Sequence, residues 1–231
     1  MIENVAYNCD CMEYMKSQPD KVFDLAVVDP PYGIGADMFN NGSGASKDKD
    51  KYGTAVRCRK NRLNQGAGKL KGRILNQSDC SWDSNPPPQE YFDQLFRVSK
   101  NQIIWGGNYF HLRPTRGIIV WDKMQPWENF SQVELAWTSF DCPAKLFRMS
   151  NTMSGKIHPT QKPVEMYAWI YSKFAKPGDK ILDTHLGSGS SRIAAYDAGL
   201  DFTGCEIDPV YFQKQQERFA QHTAQMSLFV D

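Results

Sequence analysis

Residues 180–206 constrain the fold more than any other stretch of the chain. Residues 180–183 read as a short buried strand, 186–191 as a Gly/Ser turn, 192–198 as a helix stopped by Gly199, and 202–206 as a second strand. That succession is one βαβ unit, and 209–221 supplies the helix that follows it. Earlier in the chain, 22–28 (VFDLAVV) is a nearly continuous apolar run that stops at Asp29-Pro30-Pro31, as a buried parallel strand ended by prolines would. Pro86-Pro87-Pro88 opens a helix over 89–98, with Tyr91, Phe92, Leu95 and Phe96 on one face. Strands are expected at 102–105, 117–121 and 133–137, an irregular segment over 143–159, and a helix over 164–174 that ends before Lys176-Pro177-Gly178. The sum predicts an α/β fold on a doubly wound, mostly parallel sheet.

At 231 residues the chain suits a single domain, 1–231, carrying an insertion over 33–80 that is rich in Gly, Asn, Lys and Ser and has no sustained periodicity. With 41% hydrophobic and 23% charged residues it is neither disordered, collagen-like nor a disulfide scaffold. No apolar run approaches the roughly 20 residues that span a bilayer. Residues 1–10 show neither a basic nor an apolar signal region, so a cytoplasmic protein without a membrane partner is expected. The six cysteines, at 9, 11, 58, 80, 142 and 205, show no C-x-x-C spacing, and neither a metal site nor a disulfide framework is expected from them. The formal charge of +1 hides an asymmetry: 38–73 holds ten Lys and Arg against Asp48 and Asp50, or +8, which leaves −7 for the remainder. A basic insertion on an acidic body is what a polyanion-binding loop looks like, and a solvated charge run has the same composition.

Two clusters carry chemistry. In Asp183-Thr-His-Leu-Gly187-Ser188-Gly189, between a strand and a helix, the glycines let backbone approach a ligand, and Glu206 closes the next strand 19 residues after Gly187, placed to accept both hydroxyls of a ribose. A tight structural loop is the plain alternative. No G-K-[ST] is present to cradle a triphosphate. In Asp29-Pro30-Pro31-Tyr32 a carboxylate, two rigid prolines with free carbonyls and an aromatic ring meet at a strand's C-terminal end. The two acceptors suit an exocyclic amine and the ring suits a base.

Asp29-Pro30-Pro31-Tyr32, then His158-Pro-Thr-Gln-Lys162-Pro163, then Asp183-x-x-x-Gly187-Ser-Gly189 with Glu206, resembles the S-adenosylmethionine-dependent DNA amino-methyltransferases. The catalytic tetrapeptide precedes the cofactor turn, as in the circularly permuted beta group, and the motifs span 8–206. The resemblance implies a Rossmann-like methyltransferase fold. It also implies that Asp29 and the Pro30 carbonyl accept the target amine, that Pro31 completes the rigid turn, and that Tyr32 stacks on an extruded base. For the cofactor it implies Asp10, within Asn8-Cys9-Asp10 ahead of the first helix, near the adenine, and Thr160, Gln161 and Lys162 near the methionine end. Asp183, His185, Gly187, Ser188, Gly189 and Glu206 would complete that site, with Thr184 and His185 standing where the family usually has Pro and Phe. His158 is expected to be structural.

An aspartate at the head of the tetrapeptide resembles adenine-N6 enzymes, whereas cytosine-N4 enzymes more often carry Ser. A cytosine-N4 or RNA adenine methyltransferase and a catalytically weak DNA-binding homologue are the alternatives. Protein glutamine methyltransferases differ, with Asn before Pro-Pro and the cofactor turn first. The family context makes double-stranded DNA the expected partner and Arg57, Arg59, Lys60 and Arg62 its phosphate contacts. Trp105-Gly-Gly-Asn-Tyr-Phe110 resembles the target-pocket region, though these rings serve equally as core. The tail 225–229 (QMSLF) resembles the motif by which bacterial replication proteins dock on the sliding clamp, through Gln225, Leu228 and Phe229; packing on the chain's own sheet or at a homodimer interface is the alternative.

Overall fold

The computed structural model describes residues 2–34, 83, 85–125 and 131–227. Most of the insertion, with Arg57, Arg59, Lys60 and Arg62, and the tail residues Leu228 and Phe229 therefore lie outside the described residues. Eight strands, β1 (Asn4–Asn8), β2 (Phe23–Val28), β3 (Ser99–Trp105), β4 (Ile118–Asp122), β5 (Val133–Thr138), β6 (Lys145–Arg148), β7 (Lys180–Asp183) and β8 (Asp201–Glu206), form one sheet in the order β1-β8-β7-β2-β3-β5-β4-β6. Every pairing is parallel except the two made by β5, which runs against β3 and β4. The expected mostly parallel, doubly wound α/β sheet is thus present. The helices are α1 (Cys11–Ser17), α2 (Gln89–Val98), α3 (Val164–Phe174), α4 (Ser190–Asp197) and α5 (Pro209–Ser227).

The alternation of strand side chains divides the core into two layers. Leu25, Val27, Ile103 and Ile181 point to one face and pack with Met166, Tyr167 and Ile170 of α3 and Ala194 of α4. Ala26, Val28, Ile104 and Leu182 point to the other and pack with Met15 of α1 and Tyr91, Phe92 and Leu95 of α2. A strand covered on both faces needs apolar residues at every position, which is why β2 reads as an unbroken run.

Three departures from the sequence reading have physical causes. Strand β6 falls within 143–159, where the sequence pattern is irregular; it is a four-residue edge strand with Leu146 51% exposed, too short and too solvated to leave an apolar pattern. Strand β1, with Asn at both ends, is the opposite edge. Helix α5 runs six residues past Gln221, so Gln225 of the docking motif is helical. Among the described residues no helix is long and apolar enough to cross a membrane.

Ile104 is fully buried against α2. Ile104→Ala should lower stability by about 2–5 kcal/mol, read from the denaturation midpoint; a change below about 1 kcal/mol would mean that this layer is loosely packed.

Candidate active site

Because seven of the eight strands share a direction, the ends of β1, β2, β7 and β8 deliver Asp10, Asp29, Asp183 and Glu206 to one edge of the sheet. A cavity of about 380 Å³ opens there, lined among others by Asp10, Asp29, Lys162, His185, Gly187 and Glu206. The reversed strand β5 starts at this same edge and brings Glu134 to it, while β4 ends there and is followed by Lys123.

Asp29 is the centre of a buried charge cluster. Its Oδ1 accepts a hydrogen bond of 2.6 Å from the Tyr32 hydroxyl, and its Oδ2 is paired with Lys162 Nζ. Lys162, with 4% of its side chain exposed, also stands 3.1 Å from Glu134 Oε2, and Glu134 Oε1 pairs with Lys123 Nζ at 2.5 Å. Burial works against the Lys162 ammonium, yet Asp29 and Glu134 more than offset it, and its pKa stands above the ordinary lysine value. Burial likewise pushes Glu134 up, but Lys162 and Lys123 reverse this and bring it down to about 2. For Asp29 burial outweighs Lys162, and the nearby Glu134 adds to the upward shift. Lys162 lines the cavity, and its charge is shared between two carboxylates of the protein.

The tetrapeptide turn is braced by Asp83, whose Oδ1 accepts from the Tyr32 and Gly33 backbone N–H groups at 2.6 and 2.9 Å. The Tyr32 ring stacks on Tyr109 at 5.0 Å and 14°. Its edge lies over Gly106, in the left-handed region at φ +71°, where an added Cβ would stand 2.2 Å from the ring. Glycine is therefore required at 106 for Tyr32 to sit where it does. Pro31 faces the cavity.

At the other end of the cavity, Glu206 accepts from the Gly187 N–H at 2.7 Å and the Asp208 N–H at 2.9 Å, one on each oxygen, which leaves each oxygen a further lone pair. His185 takes part through a relay: Tyr91 and Thr184 hydroxyls share a hydrogen bond of 2.6 Å, and Thr184 Oγ1 stands 2.9 Å from His185 Nδ1. Burial lowers the His185 pKa to about 4, so at neutral pH the ring is an uncharged flat wall. Asp10 caps α1 by accepting from the Met12 N–H at 2.7 Å. Thr160 and Gln161 reach the cavity just before α3, whose first turn has no side-chain cap because Pro163 precedes it. Ser188 also lines the cavity. His158 packs edge-on against Tyr211 at 4.3 Å, and burial lowers its pKa to about 3.

Asp183 and Gly189 lie one layer behind the cavity wall. Asp183 is 2% exposed and holds the turn together, accepting from Ser191 Oγ and the His185 N–H. Gly189, at φ +73°, precedes α4 and turns the chain into it. Pattern reading missed Glu134, Lys123 and Asp83; the one available signal was an acidic residue inside the apolar strand VELAWT of β5.

Comparison with known proteins adds a chemical class to this geometry. Residues 104–217, from the end of β3 into α5, match the family model described as DNA methylase of the N6/N4 methyltransferases. Over that stretch, just under half of its length, the chain is similar to the N6/N4 DNA methylases. The type II methyltransferase M.HinfI of Haemophilus influenzae is 22% identical over 93% of this chain and 68% of its own length. M2.DpnII of Streptococcus pneumoniae is 27% identical over 63% of this chain, an alignment that spans about half of that protein (51%). Among solved structures, TTHA0409 of Thermus thermophilus in complex with S-adenosyl-L-methionine superposes with a TM-score of 0.57 over 96% of this chain and 94% of that chain, at 16% identity, which is a likeness of fold.

Buried Asp183 supplies a pH prediction. Burial raises its pKa from 3.8 to about 7 in the folded state, so its contribution to stability is complete below pH 4 and is lost as pH rises toward 7. Relative to Asp183→Asn, the parent should lose up to roughly 4 kcal/mol across that window. Parallel melting-temperature profiles for the two proteins between pH 4 and 7 would contradict the assignment.

Proposed function

We propose that this chain is a DNA methyltransferase, which transfers the methyl group of S-adenosylmethionine to the exocyclic N6 amine of an adenine extruded from double-stranded DNA. The observation that carries the proposal is the Asp29 carboxylate, held at the wall of a cavity whose far end is closed by Glu206 and the Gly187 turn. A cavity of about 380 Å³ lies within the range for small-molecule sites. Its donors and acceptors suit the cofactor: the free lone pairs of Glu206 for ribose hydroxyls, Asp10 and the neutral His185 ring beside an adenine, and the uncapped start of α3 beside a carboxylate. When bound, the cofactor supplies a methyl group already activated on a sulfonium.

The chain's own task is then positioning and exclusion of water. An amine inside a base pair is out of reach, so the base must leave the stack, and aromatic stacking of about 1–3 kcal/mol per base offsets much of that cost. Tyr32 supplies the ring, with the base taking the place that Tyr109 holds. The Tyr32 hydroxyl occupies Asp29 Oδ1 until an amine hydrogen replaces it. Asp29 and the Pro30 carbonyl then fix the two amine hydrogens and aim the nitrogen lone pair at the methyl group. Support for adenine over cytosine is the aspartate at position 29; the family itself spans N6 and N4 chemistry. Arg57, Arg59, Lys60 and Arg62 are the proposed phosphate contacts, and Gln225, Leu228 and Phe229 the proposed clamp contact.

Asp29→Ala should abolish methyl transfer to a DNA duplex while leaving S-adenosylhomocysteine binding, followed by calorimetry, within a few-fold. Glu206→Ala should do the reverse to binding, weakening it by roughly 1.5–3 kcal/mol, or about 10- to 100-fold in Kd. Near-normal turnover in the Asp29 variant would defeat the proposal.

A further inference from the structure

Lys162 meets Asp29 on one side and Glu134 on the other, and Lys123 holds Glu134 from behind. The chain of charges Lys123, Glu134, Lys162, Asp29 joins four separate parts of the fold: the end of β4, β5, the segment before α3, and the end of β2. A buried ion pair contributes little net stability, because desolvation cancels most of its attraction. Three charges lined up behind the Asp29 carboxylate therefore call for a role in chemistry. If Lys162 faced Asp29 alone, its whole charge would bear on the carboxylate whose lone pairs the amine needs. Glu134 stands on the opposite side of the ammonium and divides that charge.

We propose that Glu134 is a positioning residue for methyl transfer: it holds Lys162 between two carboxylates, so that Asp29 stays oriented by the lysine yet remains a strong enough acceptor to hold the target amine and to take its proton. The inference rests on the reading of Asp29 given above. In the step it serves, the N–CH₃ bond forms as the S–CH₃ bond breaks, leaving a neutral thioether and a positively charged methylated amine. One N–H proton then passes to the Asp29 carboxylate, which yields a neutral methylamine and a carboxylic acid. Burial and Glu134 both raise the proton affinity of Asp29, against Lys162 and the Tyr32 hydrogen bond. Beyond these, the ionisable groups facing the cluster are Lys123 after β4, Tyr167 of α3, whose pKa Asp29 and Glu134 raise, and Asp183 at the end of β7, which Asp29 raises. The Lys162 ammonium also lies 5.4 Å over the Trp105 ring, so its remaining side is closed by an aromatic wall.

The direct test is a carbon NMR titration of aspartate carboxyls in the protein without cofactor or DNA, with the Asp29 signal assigned by its loss in Asp29→Asn. In Glu134→Gln the proton affinity of Asp29 should fall by about tenfold relative to the parent, because one negative charge has been removed. Glu134→Asp, which keeps the charge, should titrate close to the parent. With duplex and cofactor, Glu134→Gln should lose about tenfold in kcat, and the acid limb of its pH profile should move to lower pH. S-adenosylhomocysteine affinity in both variants should stay within a few-fold, which shows that the cavity is intact. An Asp29 titration unmoved by Glu134→Gln, or moved equally by Glu134→Asp, would overturn the inference. Full turnover in Asp29→Asn would defeat the reading of the site, whereas an inactive Asp29→Asn beside an unmoved titration would defeat only the role of Glu134.

Discussion

An ammonium group 4% exposed to solvent is the constraint around which this end of the molecule is arranged. Lys162 would lose its charge in the interior unless carboxylates stood against it, and it has two, one from each side. Asp29 arrives from a parallel strand. Glu134 arrives from β5, and only because β5 is reversed does that strand begin, rather than end, at the edge where Asp29 lies. The single antiparallel strand thus has a consequence for chemistry: it places an acidic side chain opposite the tetrapeptide. Neutralising Lys162 or Glu134 leaves the outer member of the line, Asp29 or Lys123, without its partner, which ties the geometry of Asp29 to the whole edge of the sheet.

The far end of the cavity solves a different problem. Thr184 and His185, two polar residues, line this end of the cavity. The hydroxyl relay from Tyr91 through Thr184 to His185 satisfies those groups within the protein, and burial keeps the imidazole uncharged. The cavity wall here is thus a planar, uncharged ring held by a hydrogen-bonded route. Glu206 is handled in the same spirit: two backbone N–H groups fix its carboxylate, while its unused lone pairs face the cavity.

Much of this was legible in the sequence because the relevant residues sit on doubly covered strands. Continuous apolar runs and Gly/Ser turns mark β2, β7 and β8, and the ends of those runs single out Asp29 and Glu206 by pattern alone. Helices α2 and α3 were readable to the residue, since each opens after a proline and packs an evident apolar face. What escaped was of two kinds. The edge strands β1 and β6 bury too little to leave a pattern. The partners of Lys162 escaped because ion pairing across the sheet joins residues 28 and 133 positions apart, as with Lys162 to Glu134 and Lys162 to Asp29, and no local spacing encodes such a meeting. Local pattern therefore found Asp29 and missed the charged groups in line with it.

The proposed activity of this edge of the sheet is methylation of an exocyclic amine of DNA at adenine N6. The most direct measurement is mass spectrometry of nucleosides from unmethylated duplex DNA incubated with the full chain and S-adenosylmethionine carrying a deuterated methyl group. Deuteromethyl label is expected in N6-methyl-2′-deoxyadenosine and nowhere else. Label in N4-methylcytosine would contradict the assignment of the base, and DNA that stays unlabelled while the protein binds the cofactor would contradict the assignment of catalysis itself.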